Sequence, residues 1–240
     1  MTLPLSWPRS WHAPRRAGLL LGIVALLVVT ATGCGGTSKA SGKPAADRLA
    51  AAQKYLDSSK SVTISLSTPK LPQGVQGILK AIGVGTKAPA FKGKISVVRS
   101  GLNIEVPVIS VDGAVYIQFA GSWQKIDPAK FGAPDPANLF QPGTGLSSLL
   151  SDVKGAKPGK DIRQGKDVLS TISGTVPGAK VASIIPTASA TSDFATTFVL
   201  DDKDHLVTAV LSGPFYPDAG DVTYTIGFSR YGSPASIKAP

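Results

Sequence analysis

The chain has 240 residues, a formal net charge of +10 and only 17% charged residues, against ~25% in ordinary soluble domains. Cys34 is its only cysteine and there are two histidines, which excludes a disulfide framework and leaves no thiolate or multi-histidine metal site. No dense Lys/Arg run with interleaved aromatics occurs, so nucleic acid is not an expected partner.

Arg9, Arg15 and Arg16 are the only charges before Cys34, and all precede the apolar run Leu19–Cys34. A basic segment, a short apolar segment and small residues at a cut site form a secretory signal rather than a fold element. The uncharged stretch Ala17–Gly33 is marginal for a membrane span, which needs ~20 apolar residues. The run ends in Ala31-Thr32-Gly33-Cys34, which resembles a bacterial lipobox with Ala31 where Leu is usual. Cleavage before Cys34 followed by thioether linkage to diacylglycerol is the expected processing. Removing residues 1–33 leaves 207 residues and, with the three arginines gone, a net charge of +7. Glu105 is the sole glutamate, so Ser, Thr, Gly and Pro must supply much of the surface. A basic, low-charge exported domain suits contact with anionic membrane or envelope surfaces.

Residues 34–44 read as the lipidated Cys and a polar tether, with a span of ~15–20 Å. Ala45–Ser58 reads as a helix, since Ala45, Leu49, Ala52 and Leu56 share one face. From Ser61 the period becomes two. Alternating segments run from Ser61 to Ser67, through Ile95 and Val97, from Leu102 to Val108 and from Val115 to Phe119. A Pro/Gly-rich insertion, Pro69–Pro89, with a helical turn at Val75–Ile82, interrupts them. Asp112-Gly113 marks a hairpin turn. Further strands are expected at Val168–Val176, Phe194–Leu200, His205–Leu211 and Val222–Phe228, with a turn at Asp201–Asp204. Gly145–Lys154 and Pro177–Ile185 read as two helices. About eight alternating strands and a few helices define an α+β arrangement in one domain, residues 45–240.

Catalytic and metal patterns are weak. His205 is the only histidine beyond the signal segment, and its place beside Asp204 at a strand start suggests a turn-side role. The sequence contains no G-x-S-x-G elbow and no paired-carboxylate pattern. Asp201, Asp202 and Asp204 lack the Gly and Glu of a calcium loop, and Gly83-Val84-Gly85 lacks the Lys-Ser/Thr of a phosphate loop. No catalytic residue, metal or cofactor is therefore expected. Tyr116, Phe119 and Trp123 cluster near a strand end, as core or rim anchors or at a cavity mouth.

Several short motifs carry a resemblance by their order and spacing. They are the lipobox and tether, Val111-Asp112-Gly113-Ala114-Val115-Tyr116, Trp123, Ile126-Asp127-Pro128 and Phe131-Gly132-Ala133-Pro134-Asp135-Pro136. Thr144-Gly145-Leu146, Ser173-Gly174-Thr175-Val176-Pro177 and Lys238 complete the set. Together they resemble the LppX/LprA/LprF/LprG family of mycobacterial envelope lipoproteins. The resemblance implies a curved antiparallel half-barrel with helices on its concave face, similar to carriers of lipoproteins across a Gram-negative periplasm. It also implies a hydrophobic cavity holding the acyl chains of lipids or glycolipids, phosphoinositide-type or triacylated.

The expected lining is Val62, Ile64, Leu66, Ile95, Val97, Ile104, Val106, Val108, Val115, Ile117 and Phe119 from the first strands. Ile172, Phe198, Leu200, Val207, Leu211, Tyr224, Ile226 and Phe228 follow from the later ones, with Leu149, Leu150, Val153, Val181, Ile184 and Ile185 from the helices. The same face could equally form a dry core. A non-enzymatic, monomeric lipid carrier on the outer face of the plasma membrane or in the cell wall is the expected function, with an export transporter as an expected protein partner. A lipid-anchored scaffold with no internal ligand, or a hydrolase using His205, are the alternatives.

Overall fold

The computed structural model describes residues 42–240, so the signal segment, Cys34 and most of the tether lie outside the described residues. The described residues belong to one compact unit. The first element, α1 (Ala45–Ser58), matches the expected helix. Pro44 stands at its N-cap, Asp47 lies in the first turn, and Leu49 and Ala52 are buried. At its end the Ser58 and Ser59 hydroxyls both donate to the Tyr55 carbonyl, satisfying an orphan helix acceptor.

Twelve strands follow among the described residues: β1 (Ser61–Ser67), β2 (Gly77–Thr86), β3 (Ala90–Arg99), β4 (Leu102–Val111), β5 (Ala114–Phe119), β6 (Ser122–Ile126), β7 (Lys154–Pro158), β8 (Ile162–Gln164), β9 (Asp167–Val176), β10 (Phe194–Leu200), β11 (Leu206–Gly213) and β12 (Val222–Ser229). They form one open antiparallel sheet in the order β6-β5-β4-β3-β2-β1-β12-β11-β10-β9-β7, with β8 also pairing β9. The fold is thus a curved half-barrel of the α+β class, with α1, α2 (Gly178–Ile184) and three short 3-10 turns against the sheet. The 3-10 turns are Pro128–Phe131, Pro136–Phe140 and Leu146–Leu150.

Strand register places one apolar row on the concave face. Ile64 lies between Gly83 and Phe228, Leu66 opposite Ile226, and Phe198 between Ile172 and Ala209. These side chains join Leu49, Leu149, Leu150, Val181 and Ile184 in the main core. The turns at residues 87–89, 112–113 and 201–205 mark one end of the strands. The tip at 100–101 marks the other, about 30 Å away along the ten-residue β4, while the 120–121 tip ends the shorter β5 about 17 Å from the 112–113 turn.

Three expectations are corrected. Val75–Ile82 is not helical; most of it lies in β2, whose concave phase is Ala81, Gly83 and Gly85. An alternating strand with glycines in its inward phase has no apolar row to read. Gly145–Lys154 forms only the 3-10 turn Leu146–Leu150, and Lys154 already begins β7. Val207 does not join the core. A bulge leaves it without a partner, Leu206 pairs with Leu200 instead, and Leu206 is the buried residue.

A second, smaller cluster lies on the convex side. Ala90, Ile109 and Val111 pack there with Trp123 and Ile237 of the C-terminal tail. Trp123 therefore faces away from the concave side and is not at a cavity mouth. Tyr116, opposite Ile109, shares that face. The tail is fixed where the Gly232 amide donates to the Ser61 carbonyl at 2.8 Å and the Ser61 hydroxyl donates to the Ser233 carbonyl.

Candidate functional site

The centre of the concave face is a floor without side chains. Gly83 and Gly93 are direct cross-strand partners, and Gly85 faces Phe91. A Cβ at Gly83 or Gly93 would collide with the Phe91 ring, and one at Gly85 with the Phe140 ring. The two rings stack at 6.1 Å between centroids and 15° between planes. Glycine in a strand interior weakens it, and often marks a close approach of another group. Here that group is a pair of aromatic rings lying on the sheet.

Phe140 belongs to the cover. Its 3-10 turn, Pro136–Phe140, packs on β2, β3 and β4. The Asp-Pro pairs explain this local structure. Asp127 accepts from the Ala129 amide at 3.1 Å and Asp135 from the Ala137 amide at 2.9 Å, while each Pro presets the next φ. Asp135 also accepts from the buried Ser110 hydroxyl on β4, which pins this turn to the floor. The Asp-Pro pairs are plain in the sequence, whereas the capping role of their Asp side chains emerges only in the fold.

Between floor and cover lies a cavity of about 20 Å³, lined in part by Leu56, Val62, Gly85, Phe140, Leu146 and Ser147. That volume holds about one water molecule. The Ser147 hydroxyl, 3% exposed, has no hydrogen-bond partner there. A broader, open groove of about 440 Å³ runs on the surface beside Ala50, Gln53, Lys54, Asp57, Ser58, Lys87 and Pro142.

Most of the residues expected to line a cavity meet in one core: Val62, Ile64, Val108, Val115, Leu149, Leu150, Ile172, Val181, Ile184, Phe198, Leu200, Leu211, Tyr224, Ile226 and Phe228. Leu66, Ile95, Val106, Ile117, Val153 and Ile185 pack against it while partly exposed. Val97 and Ile104 are paired partners farther along β3 and β4 and are half-buried. Beyond them the same face ends in an open apolar rim. Leu102 is 66% exposed, Phe119 56% and Phe131 58%. Arg99, paired with Leu102, holds its guanidinium 5.6 Å from the Phe131 ring centroid, within cation–π range.

The other end of the strands is polar and pinned. Asp204 is buried, accepts from Arg48 Nε at 2.5 Å and from Lys43 Nζ at 3.2 Å, and has a left-handed φ of 63°. Asp204 thus anchors the Asp201–Asp204 turn, whose Asp202 and Lys203 stay exposed. His205 stacks on Tyr55 at 3.6 Å, and its Nδ1 lies 2.9 Å from Asp201 Oδ2. Tyr231 donates to the Leu206 carbonyl at 2.6 Å. Burial, then Tyr55 and Asp201, push its hydroxyl pKa far up. Burial and its bond with Tyr216 do the same to Tyr224, which donates to the Ile78 carbonyl at 2.6 Å. These contacts give His205 a packing role. Among the described residues no group of three or more His, Cys, Asp or Glu is placed to hold a metal.

An open antiparallel half-barrel with an apolar concave face under short cover turns defines the class of protein. The LppX_LprAFG lipoprotein family model matches residues 44–237, and the chain belongs to that family. The chain is similar to proteins named lipoarabinomannan carrier protein LprG. It is 27% identical to the Mycobacterium tuberculosis one over 207 residues, covering 81% of this chain and 85% of the relative. The Mycobacteroides abscessus one is 24% identical over 233 residues, covering 94% and 98%. Two crystal structures share the fold at 18% identity. They are LprF from Mycobacterium bovis, with a TM-score of 0.65 over 82% of this chain and 96% of that one, and Mycobacterium tuberculosis LppX, with 0.61 over 81% and 98%.

Proposed function

We propose that this chain is a non-enzymatic envelope lipoprotein, exported and anchored through Cys34, that takes up acyl chains of lipids or glycolipids between its sheet and its cover. The observation that carries this reading is the glycine floor under Phe91 and Phe140. The Phe140 ring of the cover fills the space over Gly85, and the Phe91 ring of β3 lies over Gly83 and Gly93; a hydrocarbon chain can take the place of either ring. An acyl chain gains ~0.8 kcal/mol per methylene buried, against roughly 2–3 kcal/mol for exposing one Phe, so once the cover turns lift with the ring a chain of about 16 carbons outweighs it. The exchange therefore favours the lipid even after ordering costs of several kcal/mol. The cover suits it, because short 3-10 turns hold few internal hydrogen bonds. The name of the LprG relatives supports a lipoglycan or glycolipid as cargo, and Arg99 at the rim suits an anionic headgroup.

The test is to purify the protein without its lipid anchor and analyse organic extracts by mass spectrometry. A stoichiometric acylated species is expected. Recovery of no lipid, with the core still closed, would sink the proposal. That closed state, about 20 Å³, is the observation favouring a second reading: an anchored scaffold that binds a transporter or cell-wall enzyme by its surface.

A further inference from the structure

The rim beyond the glycine floor is exposed, apolar and cationic. Leu102 and Phe119 lie on adjacent hairpin tips, in the same phase as the concave core residues Val106, Val108, Val115 and Ile117. Phe131 joins them from the cover through Arg99. All three apolar residues are more than half exposed. Single exposed apolar residues are ordinary, but three large ones along one edge of a concave site mark a contact surface. The segments that build the rim, residues 99–102, 119–122 and 127–132, carry two cations, Arg99 and Lys130, and one carboxylate, Asp127, which is engaged in capping its own turn. Both cations are exposed. Large apolar side chains beside exposed cations fit the boundary of an anionic lipid layer, where rings enter the headgroup zone and cations meet phosphate.

The position of the rim says which layer. The chain enters the domain at Lys43, which is held to Asp204 in the turn at the other end of the strands. Lys43 is nine residues from Cys34, and the polar composition between them leads to an expected span of roughly 15–20 Å. The rim stands farther off, about 17 Å along β5 at Phe119 and about 30 Å along β4 at Leu102. We infer that the rim formed by Leu102, Phe119, Phe131 and Arg99 docks the concave site onto an anionic lipid layer facing the one that carries the anchor. This inference rests on the anchored-carrier reading above. It makes the rim the place where an acyl chain leaves for its acceptor.

The experiment uses the acylated full-length product reconstituted in donor vesicles of phosphatidylcholine. With Cys34 blocked by lipid, a cysteine introduced by Ser122→Cys, beside Phe119, takes an environment-sensitive fluorophore alone; Asp202→Cys labels the opposite end. Acceptor vesicles contain equal parts of phosphatidylcholine and brominated phosphatidylglycerol. The probe at position 122 is expected to be quenched by the acceptors, and the probe at 202 is not. Arg99→Gln should weaken the quenching roughly fivefold, as about 1 kcal/mol per cation implies. Leu102→Ser combined with Phe119→Ser should abolish it, with the circular dichroism spectrum unchanged. No quenching at 122, or quenching only when bromine is in the donor lipids, overturns the inference. Protection of the rim only by an added envelope protein overturns it too. Failure of the protein to float with donor vesicles reports failure of the anchor, and absence of bound lipid reports failure of the carrier reading, so each is read separately from the docking.

Discussion

The ring of Phe140 lies where a side chain at Gly85 would stand. One residue belongs to a cover turn and the other to the middle of β2, and neither place is interchangeable. Gly85→Ala should drive the ring off the floor and cost about 1–3 kcal/mol, the usual penalty of overpacking. Urea unfolding measures it, and an unchanged midpoint would contradict the close approach. Phe140→Ala removes the ring without the clash. It should lower stability by about 1–3 kcal/mol, since Phe140 is only partly buried, yet raise uptake of a fluorescent fatty acid.

Ser147 gives a sharper view of the small cavity. A buried hydroxyl without a partner carries a desolvation penalty of about 1–3 kcal/mol. Ser147→Ala should therefore leave the ligand-free protein as stable or up to about 1 kcal/mol more stable. A loss of stability would mean that the hydroxyl has a bonded partner in solution.

Arg48 and Asp204 tie α1 to the β10–β11 corner. Both are buried, so removing either partner strands the other charge. Arg48→Ala should cost about 3 kcal/mol, softened by Lys43, which remains on Asp204. The double variant Arg48→Met with Asp204→Asn should recover part of that loss. Chemical denaturation of the wild type, Arg48→Met, Asp204→Asn and the double variant closes the cycle.

Two of the five tyrosines, Tyr224 and Tyr231, have hydroxyls whose pKa values are pushed far above the ordinary value of 10. Above pH 10 the unfolded chain loses these protons while the folded chain keeps them. Fewer protons on the unfolded state mean that stability falls as pH rises; below pH 10 the contribution is fully present. Absorbance titration should show two phenols that ionise only with alkaline unfolding. Tyr224→Phe removes one of them.

Cys34→Ser should abolish membrane attachment while the purified domain still binds lipid. Fractionation of cells and lipid extraction measure the two halves. Full function in cells from the unanchored variant would show the anchor to be dispensable.

The apolar phase of β1, β4, β5 and β12 was legible because their apolar residues alternate with Ser and Thr in β1, Asn103 and Glu105 in β4, Tyr116 and Gln118 in β5, and Thr and Gly in β12. β2 was not, because its inward phase is Ala81, Gly83 and Gly85 and its outward phase carries Ile82 and Val84. β7 and β8 carry Lys154, Lys157 and Arg163 at the sheet edge with hardly an apolar residue, so no period marks them. Most of the expected lining residues meet on one face, whereas Val207 turns out because a bulge shifts its phase. Arg48 and Asp204 look like surface charges in the sequence and are buried only because α1 and a β-turn meet.

The sequence by itself determined the α+β class, the family and most residues of the concave face, because each depends on local pattern. Tertiary structure alone decided that the face is closed by Phe91 and Phe140 over three glycines, that Ser147 is left unpartnered, and that an apolar rim stands at the strand end away from Lys43. Those are relations between segments far apart in the chain, set by packing against neighbours that no local period encodes.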